Sequence, residues 1–292
     1  MTDTSKYHLP KGTSADGPYD LLVTPESAGW GHSGLRILTL RPGEAHTLST
    51  GDSEFLVLPL TGSCTVTTDG TAFELTGRTG VFASATDFAY LPRESVALIS
   101  SADGGTFALP SARTERSSLS ARYGPQKNVP VELRGAGACS RQVNNYCLPG
   151  TFEAEQLLVC EVLTPGGNWS SYPPHKHDTA RPGQESELEE IYYFQVAGED
   201  GFAYQRVYGT EDRPIDVLAE VRSGDTVLIP HGWHGPSIAA PGYDLYYLNV
   251  MAGPGQDRAW LICDDPAHGW VRGTWKSQDV DDRLPFEGLT QR

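Results

Sequence analysis

Four residues in the second half of the chain have the types and spacing of a metal site. In Pro173-Pro-His-Lys-His177 two histidines lie two apart, so on a strand both imidazoles face one side and Lys176 the other. Glu190 opens the apolar run Glu-Ile-Tyr-Tyr-Phe194, which sets its carboxylate on the same face as Tyr192 and Phe194. A third segment, Gly224-Asp-Thr-Val-Leu-Ile-Pro230, runs into His231-Gly-Trp-His234. One H-x-H alone is a common surface turn. Joined in this order by a Glu-led strand and a Gly-to-Pro strand closing on His, it makes His175, His177, Glu190 and His234 candidate ligands of a divalent cation.

The elements that must position these residues are strands, and they occur twice. Leu35-Arg-Ile-Leu-Thr-Leu-Arg-Pro-Gly-Glu-Ala-His46, Glu54-Phe-Leu-Val-Leu-Pro-Leu-Thr-Gly62 and Gly80 to Pro92 repeat the grammar of Leu158 to Trp169, Glu190 to Val196 and Gly224 to Pro230. Each half is a strand, a Pro-Gly turn, a polar corner and more short strands, the pattern of an all-β sandwich or barrel. The division falls near residue 125, giving an N-terminal unit 1–125 and a C-terminal unit 126–292, with 111–148 as a crossover linker. In the first half His46 and Glu54 are all that stands at the corner equivalent to the metal site. The tail from Asp264 is expected to be packed but irregular, and not the first place to look for function.

Gly29-Trp-Gly-His-Ser-Gly34 spells G-x-G-x-x-G, but a strand-like Leu-Arg-Ile-Leu follows where a dinucleotide needs a helix start. A net charge of −15 with no Lys/Arg run argues against nucleic acid. The five cysteines are odd in number and contain no C-x-x-C pair, so neither a disulfide framework nor a thiolate zinc site is expected. No run approaches the ~18 apolar residues of a membrane span, and the N-terminus lacks a signal-peptide core, which points to a cytoplasmic protein acting on a small molecule.

The H-x-H, the Glu-led strand and the closing His resemble the two cupin motifs. Gly135-Ala-Gly-Ala-Cys-Ser-Arg-Gln-Val-Asn-Asn145, Pro165 to Asp178, Leu188-Glu-Glu-Ile-Tyr-Tyr-Phe194 and Gly242-Tyr-Asp-Leu-Tyr-Tyr-Leu-Asn249 resemble the 5-deoxy-glucuronate isomerase (IolB) family of myo-inositol catabolism across nearly the whole chain. The resemblance implies a bicupin, two tandem jelly-roll barrels, with the metal in the C-terminal barrel on the four residues above. It also implies a 5-deoxy-D-glucuronate substrate and a 5-dehydro-2-deoxy-D-gluconate product.

Two departures from the general cupin pattern bear on the ligands. Twelve residues separate His177 from Glu190, which brings Glu187 and Glu189 into competition; strand phase favours Glu190. The segment Pro230 to His234 is one residue short of P-x-G-x-x-H, which makes His231 a rival to His234; the family pattern favours His234.

The substrate's own carboxylate calls for a cation, with Arg206 and Arg141 as candidates and Arg206 preferred because its strand should line the barrel. Tyr192 and Tyr246, on strands that carry the site, are the candidates for proton transfer. Zinc or manganese suits a redox-neutral reaction on three imidazoles and a carboxylate. Because cupins host many activities, an iron-dependent dioxygenase or a non-enzymatic metal- or sugar-binding protein are the alternatives. Pairing of sheet edges makes a homodimer plausible.

Overall fold

The computed structural model describes residues 5–286, and most of the regular structure is strand. In the first half six strands of a nine-stranded sheet run Arg122–Gly124, Phe88–Leu91, Ser53–Thr68, Gly105–Arg113, Ser33–Leu40, Tyr19–Val23, and the other three, Ala45–Ser49, Thr71–Arg78 and Val96–Ser100, lie off this path. The 16-residue strand Ser53–Thr68 is long enough to leave one layer and enter the other, where it pairs with Thr71–Arg78 and Val96–Ser100. In the second half the two layers are separate sheets. One runs His8–Leu9, Thr226–Ile229, Glu189–Val196, Leu245–Ala252, Leu158–Thr164, Arg141–Cys147, Val131–Arg134; the other runs Asp216–Val221, Ala203–Tyr208, Trp233–Ala239, His175–Lys176, Cys263–Asp264. The strand His8–Leu9 pairs with Thr226–Ile229, so the start of the described chain joins the sheet of the second half.

Strand alternation sorts the apolar residues into three cores. Phe55 and Val57 point into the first barrel while Leu56 and Leu58 point out of it; Tyr192 and Phe194 point into the second while Ile191 and Tyr193 point out. The outward sets meet each other and form a shared core between the halves. Both strands are thus buried on two faces, which is why they read as continuous apolar runs. Within the shared core Arg78 of the first half donates to both carboxylate oxygens of Glu161 of the second, at 2.9 and 2.8 Å. Asn144 Nδ2 and the Tyr146 hydroxyl each donate to the same carboxylate at 2.7 Å, so the buried charge is fully partnered.

Residues 131–147, expected to be linker, instead form the strands Val131–Arg134 and Arg141–Cys147. Their polar residues hide the pattern because they are buried and bonded to one another: Gln142 Nε2 donates to Asn144 Oδ1 at 2.9 Å, and Asn144 reaches Glu161. The tail beyond Asp264 has little regular structure but is tied down. Asp265 N donates to the Pro174 carbonyl, Gly137 N to the Asp279 carbonyl, and Phe286 enters the shared core. All five cysteines are free thiols. No helix among the described residues is long and apolar enough to cross a membrane.

Candidate metal centre

The cluster bridges the two layers of the second barrel. Glu190 stands at the start of the strand Glu189–Val196, opposite Ile229 on one side and Met251 on the other. From the facing sheet, His175 lies directly across from His234 in an antiparallel pair, and His177 follows two residues on. Nε2 of His177 and Nε2 of His234 each lie 3.1 Å from Glu190 Oε2. The ligand atoms of His177, Glu190 and His234 fall within 4.8 Å of one another, and the ring of His175 stands 4.5 Å from that of His234. All four side chains are buried.

Backbone carbonyls fix the direction of each imidazole. Nδ1 of His175 lies 3.3 Å from the Pro173 carbonyl, Nδ1 of His177 3.3 Å from that of Leu188, and Nδ1 of His234 3.2 Å from that of Gly232. A carbonyl oxygen can only accept, so each Nδ1 carries the hydrogen and each Nε2 presents its lone pair. Nε2 of His234 is buried and, although 3.1 Å from Glu190 Oε2, makes no well-aligned hydrogen bond among the described residues, a costly arrangement unless something fills the space in front of it. Two such nitrogens on one carboxylate, with the His175 ring standing beside that of His234, fit a divalent cation.

The electrostatics agree with this geometry. Burial, reinforced by the two other imidazoles, holds His175 well below the ordinary histidine value. Burial also pushes His177 down, but the hydrogen bond and charge of Glu190 outweigh it and leave it raised. For Glu190, burial opposes ionisation, yet His234 and His177 hold it below the usual carboxylate range. The acid is therefore a carboxylate at neutral pH.

Behind the ligands lies a second tier of contacts. Lys176 points away from the cluster, as the H-x-H phase requires, but it is not solvated: Nζ donates to Asp178 Oδ1 at 2.5 Å and to Glu185 Oε1 at 2.6 Å. Asp178 Oδ2 accepts from Gly232 N at 2.9 Å, which ties the H-x-H corner to the turn carrying His234. The residues that lengthen the gap between His177 and Glu190 form the outlying hairpin Asp178–Arg181 with Glu185–Glu187 and leave the ligand strands in register. Gly235 has a φ of 98°, and a Cβ there would sit 1.8 Å from the Ser171 carbonyl, so only glycine lets the His234 strand come this close.

The structure brings His175, His177, Glu190 and His234 together and leaves the rivals outside. Glu189 faces the other way, its carboxylate accepting from the backbone N–H groups of Gly31, His32 and Ser33 at 2.7, 2.9 and 2.9 Å. The G-x-G-x-x-G segment is thus an anion-binding turn already filled by the protein's own acid. Glu187 is exposed on the hairpin, and His231 lies outside the cluster. Tyr192 is in place: its ring centroid is 6.2 Å from that of His234, and its hydroxyl lies 2.8 Å from Ser171 Oγ.

Tyr246 and Arg206 do not reach the site, both by one step of strand phase. Tyr246 points into the shared core beside Arg78; its neighbour Tyr247 points inward, stacks on Tyr192 at 4.9 Å and contacts Ser171 Oγ at 3.1 Å. On the strand Ala203–Tyr208 it is Gln205 and Val207 that are buried, while Arg206 turns out to pair with Asp216 and the Val217 carbonyl. Arg141 is buried beside the cluster, and a cavity of about 140 Å³ is lined by Arg134, Arg141, His175, Trp260, Ile262 and Arg272. Tyr247, Ser171 and, in this wall, Arg134, Trp260, Ile262 and Arg272 escaped the sequence; Arg272 comes from the tail.

Comparison with known proteins agrees with this architecture. The KduI/IolB family matches residues 8–271. The 5-deoxy-glucuronate isomerase of Geobacillus thermodenitrificans is 43% identical over 85% of this chain and 89% of its own. That of Bacillus subtilis strain 168 is 37% identical over 85% and 91%. The crystal structure of an IolB-like protein from Salmonella typhimurium superposes with a TM-score of 0.84 at 34% identity, covering 91% of this chain and 98% of that one. An oxalate decarboxylase of Lactobacillus farciminis, 13% identical with a TM-score of 0.58 over 83% and 82% of the two chains, shares the fold alone. The family match runs from the first described strand past every candidate ligand, and the chain belongs to the KduI/IolB family.

Proposed function

We propose that this protein is a 5-deoxy-glucuronate isomerase, converting 5-deoxy-D-glucuronate to 5-dehydro-2-deoxy-D-gluconate in myo-inositol catabolism. A divalent cation, zinc or manganese, is held by His175, His177, Glu190 and His234. The observation that carries this function is the convergence of two carbonyl-oriented imidazoles, His177 and His234, on the buried Glu190 carboxylate with His175 against His234, in a chain 43% identical to a 5-deoxy-glucuronate isomerase.

The reaction moves hydrogen between C1 and C2, and its barrier is charge on oxygen. When bound, the cation supplies Lewis-acid polarisation of that oxygen. The protein's own residues do the rest. The carbonyls of Pro173, Leu188 and Gly232 aim the imidazoles, and Glu190 contributes the single compensating charge. Burial, and then the Glu190 charge, hold the Tyr192 phenol well above its ordinary value, so at neutral pH it keeps its proton and its hydroxyl is available as a donor, not as a base. Ser171, bonded to the hydroxyls of both Tyr192 and Tyr247, fixes where that donor sits. Zinc and manganese are preferred over iron because the isomerisation is redox-neutral.

The free thiols accord with a cytoplasmic setting, and a homodimer through a sheet edge such as Val131–Arg134 belongs to the same proposal. Light scattering of the purified protein measures the latter, and a monomer mass rejects it. The activity is tested by incubating the metal-quantified protein with 5-deoxy-D-glucuronate in heavy water and following the aldehyde by NMR. Loss of the aldehyde signal with growth of a ketose is expected; an unchanged aldehyde rejects the isomerase.

A further inference from the structure

We propose that the cavity beside His175 is the subsite for the substrate's terminal carboxylate, with Arg141 as the residue that binds it and the C-terminal tail as part of its wall. This rests on the isomerase function above and adds what makes the site select an acid sugar.

Three guanidinium groups line the cavity, and they are not equivalent. Arg134 donates to both carboxylate oxygens of Glu132, at 2.9 and 2.8 Å. Arg272 is paired in the same two-pronged way with Asp264. Among the described residues Arg141 has no carboxylate partner: its hydrogen bonds run through Nη1 to the carbonyls of Cys139 and Tyr172, at 3.0 and 3.5 Å. Yet Arg141 is the most deeply buried of the three, at 4% exposure. A buried guanidinium without a counter-ion is expensive, and its neighbours make it more so. Burial, followed by repulsion from Arg134 and Arg272, pulls it down to about 10. It still carries its charge at neutral pH, so the cavity holds one uncompensated positive charge. A monoanion with a planar, two-oxygen head is the ligand that relieves it.

The surroundings are built to keep Arg141 in place. Its guanidinium lies over the ring of Trp275, and Gly135 stands where a Cβ would come within 2.7 Å of Nη1 and 2.2 Å of the Cys139 carbonyl. Trp260 Nε1, in the cavity wall, is buried without an acceptor and offers a further donor. His175 lines the same cavity, so a molecule whose one end reaches the metal ligands has its other end before Arg141. A sugar with an aldehyde at one terminus and a carboxylate at the other matches that arrangement. Neutral aldoses lack the group that pairs the buried charge.

The test uses the metal-loaded full chain and D-glucuronate as a probe in titration calorimetry, alongside steady-state kinetics on 5-deoxy-D-glucuronate. Arg141→Met is expected to weaken probe binding by about 30-fold or more, the scale of a lost charge-assisted pair. It should raise KM with a smaller change in kcat and leave metal content at the wild-type level. Arg141→Lys, which keeps the charge but loses the fork, should fall between, and Arg206→Met should match the wild type. Wild-type probe affinity in metal-replete Arg141→Met overturns the subsite, as does failure of the wild type to bind D-glucuronate. Binding of the probe without turnover of 5-deoxy-D-glucuronate leaves the subsite standing and rejects the isomerase, so the two failures are distinct. Should Arg141→Met not fold, Trp260→Phe, which removes only the indole donor, must still weaken the probe measurably; unchanged affinity there overturns the subsite as well.

Discussion

The two barrels have the same strand grammar, and they differ in what their inward positions carry. In the second barrel the strand Glu189–Val196 turns Glu190 inward against His177 and His234. In the first, the strand Ser53–Thr68 turns Phe55 inward, and Ala97 and Ile99 fill the interior with Val57 and Leu48. The acid that looks like a remnant of a metal site, Glu54, is the counterpart of Glu189 and not of Glu190. Its carboxylate leaves the barrel and accepts from the backbone of Glu155, Gln156 and Leu157 at 2.8, 2.6 and 2.7 Å. Glu189 does the same to Gly31, His32 and Ser33 in the opposite direction. Each acid therefore grips the segment that leads into a long central strand of the other half. One step of strand phase separates a clasp from a metal ligand.

The largest expected effect that tests this difference is on the second barrel. His177→Ala should abolish metal binding and lower activity by more than about 100-fold, beyond what losing a mere supporting contact to a ligand does. Its far-ultraviolet dichroism should stay close to wild type. The matched change in the first barrel, Phe55→Ala, should leave metal per folded chain unchanged and cost about 3–5 kcal/mol in denaturant unfolding, because it empties a sealed core. If Phe55→Ala lost metal at unchanged stability, the interiors would not be the two different things described.

A smaller effect tests the clasps. Glu54→Gln and Glu189→Gln each replace a carboxylate that accepts three backbone N–H groups by a neutral amide. Each should cost about 1.5–3 kcal/mol, and the two costs should be similar. Metal affinity should be unchanged in Glu54→Gln. A selective loss of metal in that variant would return Glu54 to the role its place in the sequence suggests.

How much of this was readable beforehand follows from the same phase argument. The H-x-H and the Glu-led strand were legible because period-two alternation acts within one segment, and it separated Glu190 from Glu189 without any tertiary information. Tyr246 against Tyr247 could not be settled that way, since a Tyr-Tyr pair offers one residue to each face. The pairing settles it: Phe194 lies opposite Tyr247, and opposite residues of an antiparallel pair share a face. Arg206 fails for the same reason, because Val207 lies opposite His234 and therefore points in. Arg272 and Trp275 carry no local signal at all. They reach the site because the tail folds back, with Cys263 and Asp264 pairing beside His175.

The smallest expected effect concerns the one histidine at the corner of the first barrel. His46 Nε2 shares a 2.8 Å hydrogen bond with the Tyr19 hydroxyl, and the two rings meet edge-on. Across the strand pair from His46 stands Ile99, where His175 faces His234 in the second barrel. Burial, and then the charge of Arg36, hold His46 below its ordinary value, so near pH 7 it is a neutral hydrogen-bonding group. Its removal should therefore cost no more than an ordinary hydrogen bond, about 0.5–1.5 kcal/mol, and His46→Ala should lie at the low end because the residue is part-exposed. Among the described residues only one group of His, Cys and acidic side chains converges closely enough to hold an ion. Metal analysis of His46→Ala should accordingly give the wild-type stoichiometry. A fall in bound metal would mean that the first barrel holds an ion of its own, and the contrast between the two interiors would have to be withdrawn.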